Sequence, residues 1–250
     1  MAFSRPAVSV FGYGRFGQLI VRELTRLGPV GVHDPKRQSD LTRASLPLGA
    51  VELSFEDAAR ARVLLLAIPI RTIESVLRSF EPLVRPGALV VDTSSVKIWP
   101  MRWMEEILPP SVDFLGTHPL FGPDSAASGW TGQSIVLVEG RTSRRWRVRR
   151  FLARLGVRAI ERTADAHDRE MAETQALVHW LGRGLSESGV RPREAQTLGH
   201  RKLCEVLDQV TRDTPELFED LERWNPYASE ARARLLRSLQ RLDDQLGPSH

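Results

Sequence analysis

Three groups of residues in this chain have types and spacings that could do chemistry. The first is Gly12-Tyr-Gly14-Arg-Phe-Gly17, a G-x-G-x-x-G placed directly after a short apolar run and before a helical pattern. Gly12 permits a tight turn, Gly14 lets backbone N–H groups approach a pyrophosphate, and Gly17 lets the helix pack close to the strand. The helix amino terminus then offers partial positive charge to the phosphates. Tyr13, Arg15 and Phe16 complete this candidate cofactor loop, and Ile68 and Pro69, at the end of a later apolar run, are cofactor-binding candidates with it. The second group is Asp34, 20 residues past Gly14. A carboxylate there can accept both ribose hydroxyls and repel a 2′-phosphate, so NAD is the expected cofactor. Lys36 and Arg37 follow closely and would soften a preference over NADP. A flavin uses the same kind of loop but needs more chain, and glycines serving only a turn are the plain alternative.

The third group sits at the ends of two later apolar runs. Asp92-Thr-Ser94-Ser95-Val-Lys97 follows one of them, and Thr117-His118-Pro-Leu-Phe-Gly follows another. Removing a hydride from an alcohol carbon requires a base for the hydroxyl proton, and imidazole has the right pKa. His118 is the candidate base. Ser94 or Ser95 could hydrogen-bond the imidazole or the substrate hydroxyl. A packed structural histidine at 118 is the competing reading.

These groups need a scaffold that delivers them to one edge. Ala7–Phe11, Val30–His33, Val63–Ile68, Ala88–Val91, Phe114–Gly116, Ser134–Val138 and Val157–Ile160 read as strands. Helical patterns at Arg15–Leu27, Ile70–Phe80, Val96–Leu108 and Arg144–Leu155 alternate with them, and Pro100 interrupts or delays the third. That alternation predicts an α/β fold, a Rossmann doubly wound parallel sheet, with ligands at the carboxyl ends of its strands. After Arg162 only helices follow: Ala164–Ser186, Glu194–Arg212, Pro215–Glu222 and Glu230–Leu246. The expected organisation is therefore a cofactor-binding domain over 1–162 and an all-α helical carboxy-terminal domain over 163–250. Leu235, Leu239, Leu242 and Leu246 alternate spacings of four and three, an a/d-type seam. So small a bundle gains from packing on a partner, and a homodimer through these helices is expected. The same seam could pack within its own chain.

Composition narrows the function classes. The hydrophobic fraction is 42% and the charged fraction 26%, ordinary for a globular protein. No run of apolar residues reaches membrane-spanning length, and the first residues lead straight into a strand without a secretory signal pattern, so a cytoplasmic protein with no membrane partner is expected. The single cysteine, Cys204, excludes an internal disulfide and a Cys-built zinc cage, and no metal is expected. Net charge is +4. The arginine run 141–150 could mark a nucleic-acid patch, but its apolar residues recur at helical spacing, which makes it a solvated helix face. A small-molecule substrate, and no nucleic acid, is the expected partner.

Several segments together resemble the prephenate/arogenate dehydrogenases of tyrosine biosynthesis. They are GYGRFG (12–17), DTSSVK (92–97), GTHPLFGPDSAASG (116–129), AHDREMAETQALVHW (166–180) and, more weakly, TPELFEDLERWNPYA (214–228). The resemblance implies oxidative decarboxylation of a cyclohexadienol ring: hydride to NAD+, loss of CO2, and an aromatic product, 4-hydroxyphenylpyruvate where prephenate is the substrate. It implies that His118 is the base, that Ser95 is its hydroxyl partner, and that His179 lies by the substrate. Ser94 and Gln175 are placed on the substrate side with them. His179 among apolar neighbours also reads as a satisfied core histidine, and His167 with Asp168 as a helix cap. The chain departs from the family at Gln209, where a substrate-carboxylate arginine belongs; Arg201, on the same predicted helix, is similar to a second family arginine. A neutral amide cannot form a bidentate pair with a carboxylate. Arogenate or 4-amino-4-deoxyprephenate therefore stays open as substrate. A β-hydroxyacid dehydrogenase is disfavoured because helix 164–186 has no lysine. An inactive NAD-sensing protein is the non-enzymatic alternative.

Overall fold

A computed structural model describes residues 6–38 and 45–247, with the side chains of residues 37 and 38 excepted, so the sequence's suggestion about Arg37 lies outside the described residues. The chain forms two compact units, Met1–His167 and Asp168–His250.

The first unit is built on an eight-stranded sheet. Its strands are β1 (Val8–Phe11), β2 (Val30–His33), β3 (Ala50–Glu52), β4 (Val63–Leu66), β5 (Leu89–Asp92), β6 (Asp113–Pro119), β7 (Ser134–Val138) and β8 (Arg158–Arg162). They lie in the order β3-β2-β1-β4-β5-β6-β7-β8. β2 flanks β1 on one side and β4 on the other, so the chain reverses its direction of travel at β1, where an open parallel sheet leaves its ligand crevice. The pairings from β3 through β6 are parallel. β7 runs antiparallel to β6, and β8 is parallel to β7, so the last two strands reverse the sheet's direction. Runs such as Leu89-Val-Val-Asp92 are buried at every position because helices cover both faces.

Five helical segments sit between or beside these strands before the last one: α1 (Arg15–Thr25), α2 (Pro35–Gln38), α3 (Phe55–Ala59), α4 (Ile70–Phe80) and α5 (Ile98–Ile107), with α6 (Arg145–Arg154) between β7 and β8. α1 buries Ile20 and Val21 against Val10, Val30 and Val32, and Leu19 against Phe121 and Ala126. Each fully buried aliphatic side chain of this kind contributes about 1.5–3 kcal/mol. Pro100 lies inside the first turn of α5, where no intrahelical N–H is lost, so it delays nothing beyond Ile98. The sequence pattern missed β3 and α3. β3 is a three-residue edge strand with Val51 and Glu52 exposed, too short to show a period of two.

The arginine run is occupied at home. Arg144 binds Asp113, Arg145 pairs with Glu139 and Arg149 with Glu161. Arg141 donates to the carbonyls of Val112, Leu108 and Pro109.

The second unit is entirely helical. α7 (Ala164–Met171) carries the chain into it, followed by a π-helical stretch at Ala172–Ala176, then α8 (Leu177–Glu187), α9 (Leu198–Thr211), α10 (Pro215–Trp224) and α11 (Ala228–Leu246). Thr214 caps α10 by accepting from Leu217 N–H, and Pro215 opens it. Leu221, Ala176 and Ala228 form its small core, with Leu217 against it. On α11, Leu239, Leu242 and Leu246 of the expected seam are exposed, together with Leu236. The unit division falls after His167 rather than after Arg162, because the first turn of α7 packs with the sheet through His167. Among the described residues, no helix is long and apolar enough to cross a membrane.

Candidate active site

The glycine loop has the shape the dinucleotide reading requires. Gly12 sits at φ +95°, a conformation that favours glycine, and a Cβ there would run into the Ala67 carbonyl. A Cβ on Gly17 would run into the Gly12 carbonyl, so the helix lies directly against the turn. Gly14 instead faces open space, which is the cradle a pyrophosphate needs. The first turn of α1 carries no acidic residue to compete with a phosphate, and Gly14 caps it in an extended conformation. Asp34 is buried at the end of β2; its Oδ2 accepts from Tyr13 N–H at 2.7 Å and its Oδ1 from Lys36 N–H at 2.9 Å. A carboxylate oxygen can accept more than one hydrogen bond, as a ribose hydroxyl would require. Arg15 reaches out of the loop, its Nη2 donating to both carboxylate oxygens of Asp124, at 2.8 and 2.9 Å, in the segment after β6. Phe16 packs beside Leu19 and Phe121, while Ile68 and exposed Pro69 follow β4, which ends at Leu66 rather than Ile68. A dinucleotide fits these residues.

The loop makes a direct prediction. Gly17→Ala should overpack the turn, costing about 1–3 kcal/mol, and should shrink the rise in Tm that saturating NAD+ gives. Melting curves with and without NAD+ read both, and a variant that matches the parent in each contradicts this account of the loop.

The second cluster lies at the adjacent ends of β5 and β6. His118, on β6, is 3% exposed, and its Nδ1 lies 2.8 Å from Nε2 of His167, which is fully buried on the first turn of α7. The two rings meet edge to face, with centroids 5.0 Å apart. Beneath them Lys97 is fully buried; its Nζ forms an ion pair with Asp92 and donates to the Thr117 carbonyl at 2.6 Å. Asp92 Oδ1 accepts from Ser94 N–H at 2.9 Å, and Thr117 Oγ1 donates to the Asp92 carbonyl. Burial holds the His118 imidazole well below its usual pKa of 6.5, and the neighbouring His167 and Lys97 push it further the same way. His118 is therefore a neutral imidazole at physiological pH, as a general base must be.

Sequence reasoning missed two members of this cluster. His167 was read as a helix cap, but its ring is the His118 partner. Lys97 was read only as part of a motif, although five positions after Asp92 it turns back to meet that carboxylate. The signal was available in the HD pair and in the lysine closing DTSSVK; what it lacked was a reason to fold inward. The serines stand differently from expectation. Ser94 donates its hydroxyl to the Val96 carbonyl, and Ser95 is half-buried in the β5–α5 turn. Neither makes the expected hydrogen bond to the His118 imidazole; the ring bonds His167 instead.

In the second unit His179, Gln175 and Arg183 recur every four residues along one helix. His179 is 7% exposed; its Nε2 lies 3.7 Å from Asp213 Oδ2, and its Nδ1 is buried without a hydrogen-bond partner. Burial lowers its pKa; Asp213 opposes that and Arg183 adds to it. Gln175 Oε1 and Arg183 Nε are likewise buried without partners, while Arg183 Nη2 donates to the Asp213 carbonyl at 2.9 Å. Buried polar atoms of this kind are costly unless water or a ligand engages them. A π-helical stretch separates His167 from His179. Arg201 and Gln209 are both exposed on α9. Arg212, at the end of that helix, pairs with Asp208.

Comparison with known proteins fits this arrangement. A family model described as "Prephenate dehydrogenase, nucleotide-binding domain" matches residues 30–161, and one described as "TYRAAT1-like, C-terminal domain" matches residues 184–249. Arogenate dehydrogenase 2, chloroplastic, of Arabidopsis thaliana is 34% identical over 91% of this chain and 66% of its own length. The 4-amino-4-deoxyprephenate dehydrogenase of Streptomyces pristinaespiralis is 30% identical over 74% of this chain and 64% of its own. The prephenate dehydrogenase of A. aeolicus, solved with hydroxyphenyl propionate and NAD+, shares the fold at a TM-score of 0.75 and 19% identity, over 98% of this chain and 92% of that one. The chain belongs to the prephenate/arogenate dehydrogenase family. It spans between 39% and 66% of the length of the first three curated relatives it matches.

Proposed function

We propose that this protein is an NAD-dependent dehydrogenase that oxidatively decarboxylates a cyclohexadienol carboxylate of the prephenate or arogenate type. The observation that carries the proposal is the buried imidazole of His118 on β6, in the same unit as a glycine loop shaped for a dinucleotide. Gly12, Gly14 and Gly17 hold the pyrophosphate against the start of α1, and Asp34 takes the ribose hydroxyls. Asp34 also favours NAD over NADP by repulsion of a 2′-phosphate. When bound, the nicotinamide supplies the hydride acceptor. His118 Nε2 accepts the hydroxyl proton as the ring C–H bond gives up its hydride. The C–C bond to the ring carboxylate then breaks, CO2 leaves, and the electron pair aromatises the ring. The proton held on His118 returns to the phenol oxygen, so the balance closes with no net proton lost. Ser95 and Ser94, in the turn before α5, would orient the substrate hydroxyl. His179, Gln175 and Arg201 are assigned to the substrate, with Gln209 where a carboxylate-binding arginine is absent. The neutral Gln209 cannot form a bidentate pair with a carboxylate, which keeps arogenate and an amino-substituted analogue beside prephenate as substrates.

The exposed leucines of α11 support a homodimer through the helical unit. A cytoplasmic location suits the single free cysteine. The test of function is NADH formation with prephenate, arogenate and 4-amino-4-deoxyprephenate, each run with NAD+ and with NADP+. The expected result is turnover with at least one substrate, faster with NAD+. Tight NAD+ binding with no turnover on any of the three would instead identify a nucleotide sensor.

A further inference from the structure

We propose that His167 is the positioning residue of the catalytic base: its Nε2 accepts a hydrogen bond from His118 Nδ1–H, which fixes His118 in the tautomer whose Nε2 is free to take the substrate proton. The inference rests on the reading of His118 as base.

The facing nitrogens of the two imidazoles, 2.8 Å apart, share one proton between them. If His118 carries it on Nδ1, its Nε2 has a lone pair and can act as a base. If His167 carries it on Nε2, His118 must hold its own proton on its Nε2 and can only donate. Base competence therefore depends on His167 being the acceptor. The arrangement parallels an acid that orients a catalytic histidine, with an imidazole in place of the carboxylate. The choice of a ring has a physical reason here. Lys97 already supplies a positive charge beside the site, and its own counter-ion, Asp92, is engaged with it. A carboxylate at 167 would draw a permanent proton onto His118 and leave it charged before substrate arrived. An imidazole acceptor leaves His118 neutral at rest, yet still receives the Nδ1–H bond that strengthens when the proton arrives at Nε2. The proton is on loan: it enters His118 from the hydroxyl and returns to the phenol oxygen after CO2 departs. His167 holds the imidazolium during that interval, and its own full burial keeps water from competing for the bond.

The test compares three variants in the full-length protein on the substrate that gives NADH. Losing a hydrogen bond to a charged ring should lower kcat about 10- to 100-fold in His167→Phe, with substrate KM and NAD+ affinity unchanged. His167→Gln, whose amide oxygen can take the place of Nε2 as acceptor, should recover most of that loss. A structural role alone would not separate Phe from Gln in kcat while leaving KM fixed. Unchanged kcat in His167→Phe overturns the inference, as does an equal loss in both variants. His118→Asn distinguishes the two levels: if it alone is inactive, the base stands and the positioning role falls; if it is fully active, the base itself falls. Should the Phe variant not fold, the 15N spectrum of the parent protein decides. A proton on Nδ1 of His118 supports the inference, and one on its Nε2 at neutral pH overturns it.

Discussion

Replacing His118 by Asn is expected to lower kcat by about 10²–10⁴-fold while leaving NAD+ affinity and substrate KM close to those of the parent. The magnitude follows from what a positioned base contributes to proton transfer. The selectivity follows from shape. The Asn amide reaches only as far as the Nδ1 position, so it can keep a hydrogen bond to His167 and fill the buried site. It cannot present an acceptor where Nε2 stood. The glycine loop and Asp34 lie on β1, α1 and β2 and are untouched, so dinucleotide binding should persist. Steady-state kinetics with a parallel NAD+ titration by fluorescence provides the measurement. A kcat within about threefold of the parent would remove His118 from the chemistry.

The largest stability effect is expected at Lys97. Its ammonium is fully buried, paired with Asp92 and bonded to the Thr117 carbonyl. Lys97→Met removes one partner of a buried pair and leaves Asp92 Oδ2 as an uncompensated carboxylate oxygen, with only Oδ1 still bonded, to Ser94 N–H. Breaking a buried pair in this way costs about 3–5 kcal/mol. For a chain of this size that is a fall in Tm of about 10 °C. The charge-neutral double variant Asp92→Asn/Lys97→Met should regain much of the loss, because no buried charge remains. Thermal and urea unfolding of the two variants check this. A single variant that loses less than about 1 kcal/mol would show that the pair does not hold the ends of β5 and β6 together. The same substitution has a chemical consequence. Lys97 helps to hold the His118 pKa down, so its removal should move that pKa upward, toward the ordinary imidazole value.

Much of this architecture is visible in the residues themselves. Valine, leucine and isoleucine runs bounded by glycine and proline mark strands buried on both faces, and the G-x-G-x-x-G between a strand and a helix marks the switch point. The weak points were places where local pattern carries no information. β3 has three residues and an exposed edge, so neither burial nor alternation distinguishes it. The reversal of β7 is set by a 14-residue connection, residues 120–133, whose direction no periodicity encodes. The site divides in the same way. His118 was legible because a histidine between a strand end and a Pro/Gly-rich loop has few other reasons to be there. His167 and Lys97 were not, because a polar residue near a helix start reads as solvated until a partner 49 or 20 positions away is seen to face it. The serines show the converse: they lie in the expected turn, but local backbone carbonyls satisfy Ser94 more cheaply than a side chain across the cluster could.

All of the proposed chemistry requires that His118 be uncharged before it receives the substrate proton. The pH dependence of kcat/KM tests this most directly, on whichever of the three substrates turns over. Below an ordinary histidine's pKa of 6.5 a normal imidazole base would be protonated and silent. Burial, His167 and Lys97 hold His118 well under that value, so kcat/KM should stay level as pH falls through 6.5 and decline only at lower pH. A profile already at half its maximum at pH 6.5 or above would contradict a buried neutral base at position 118.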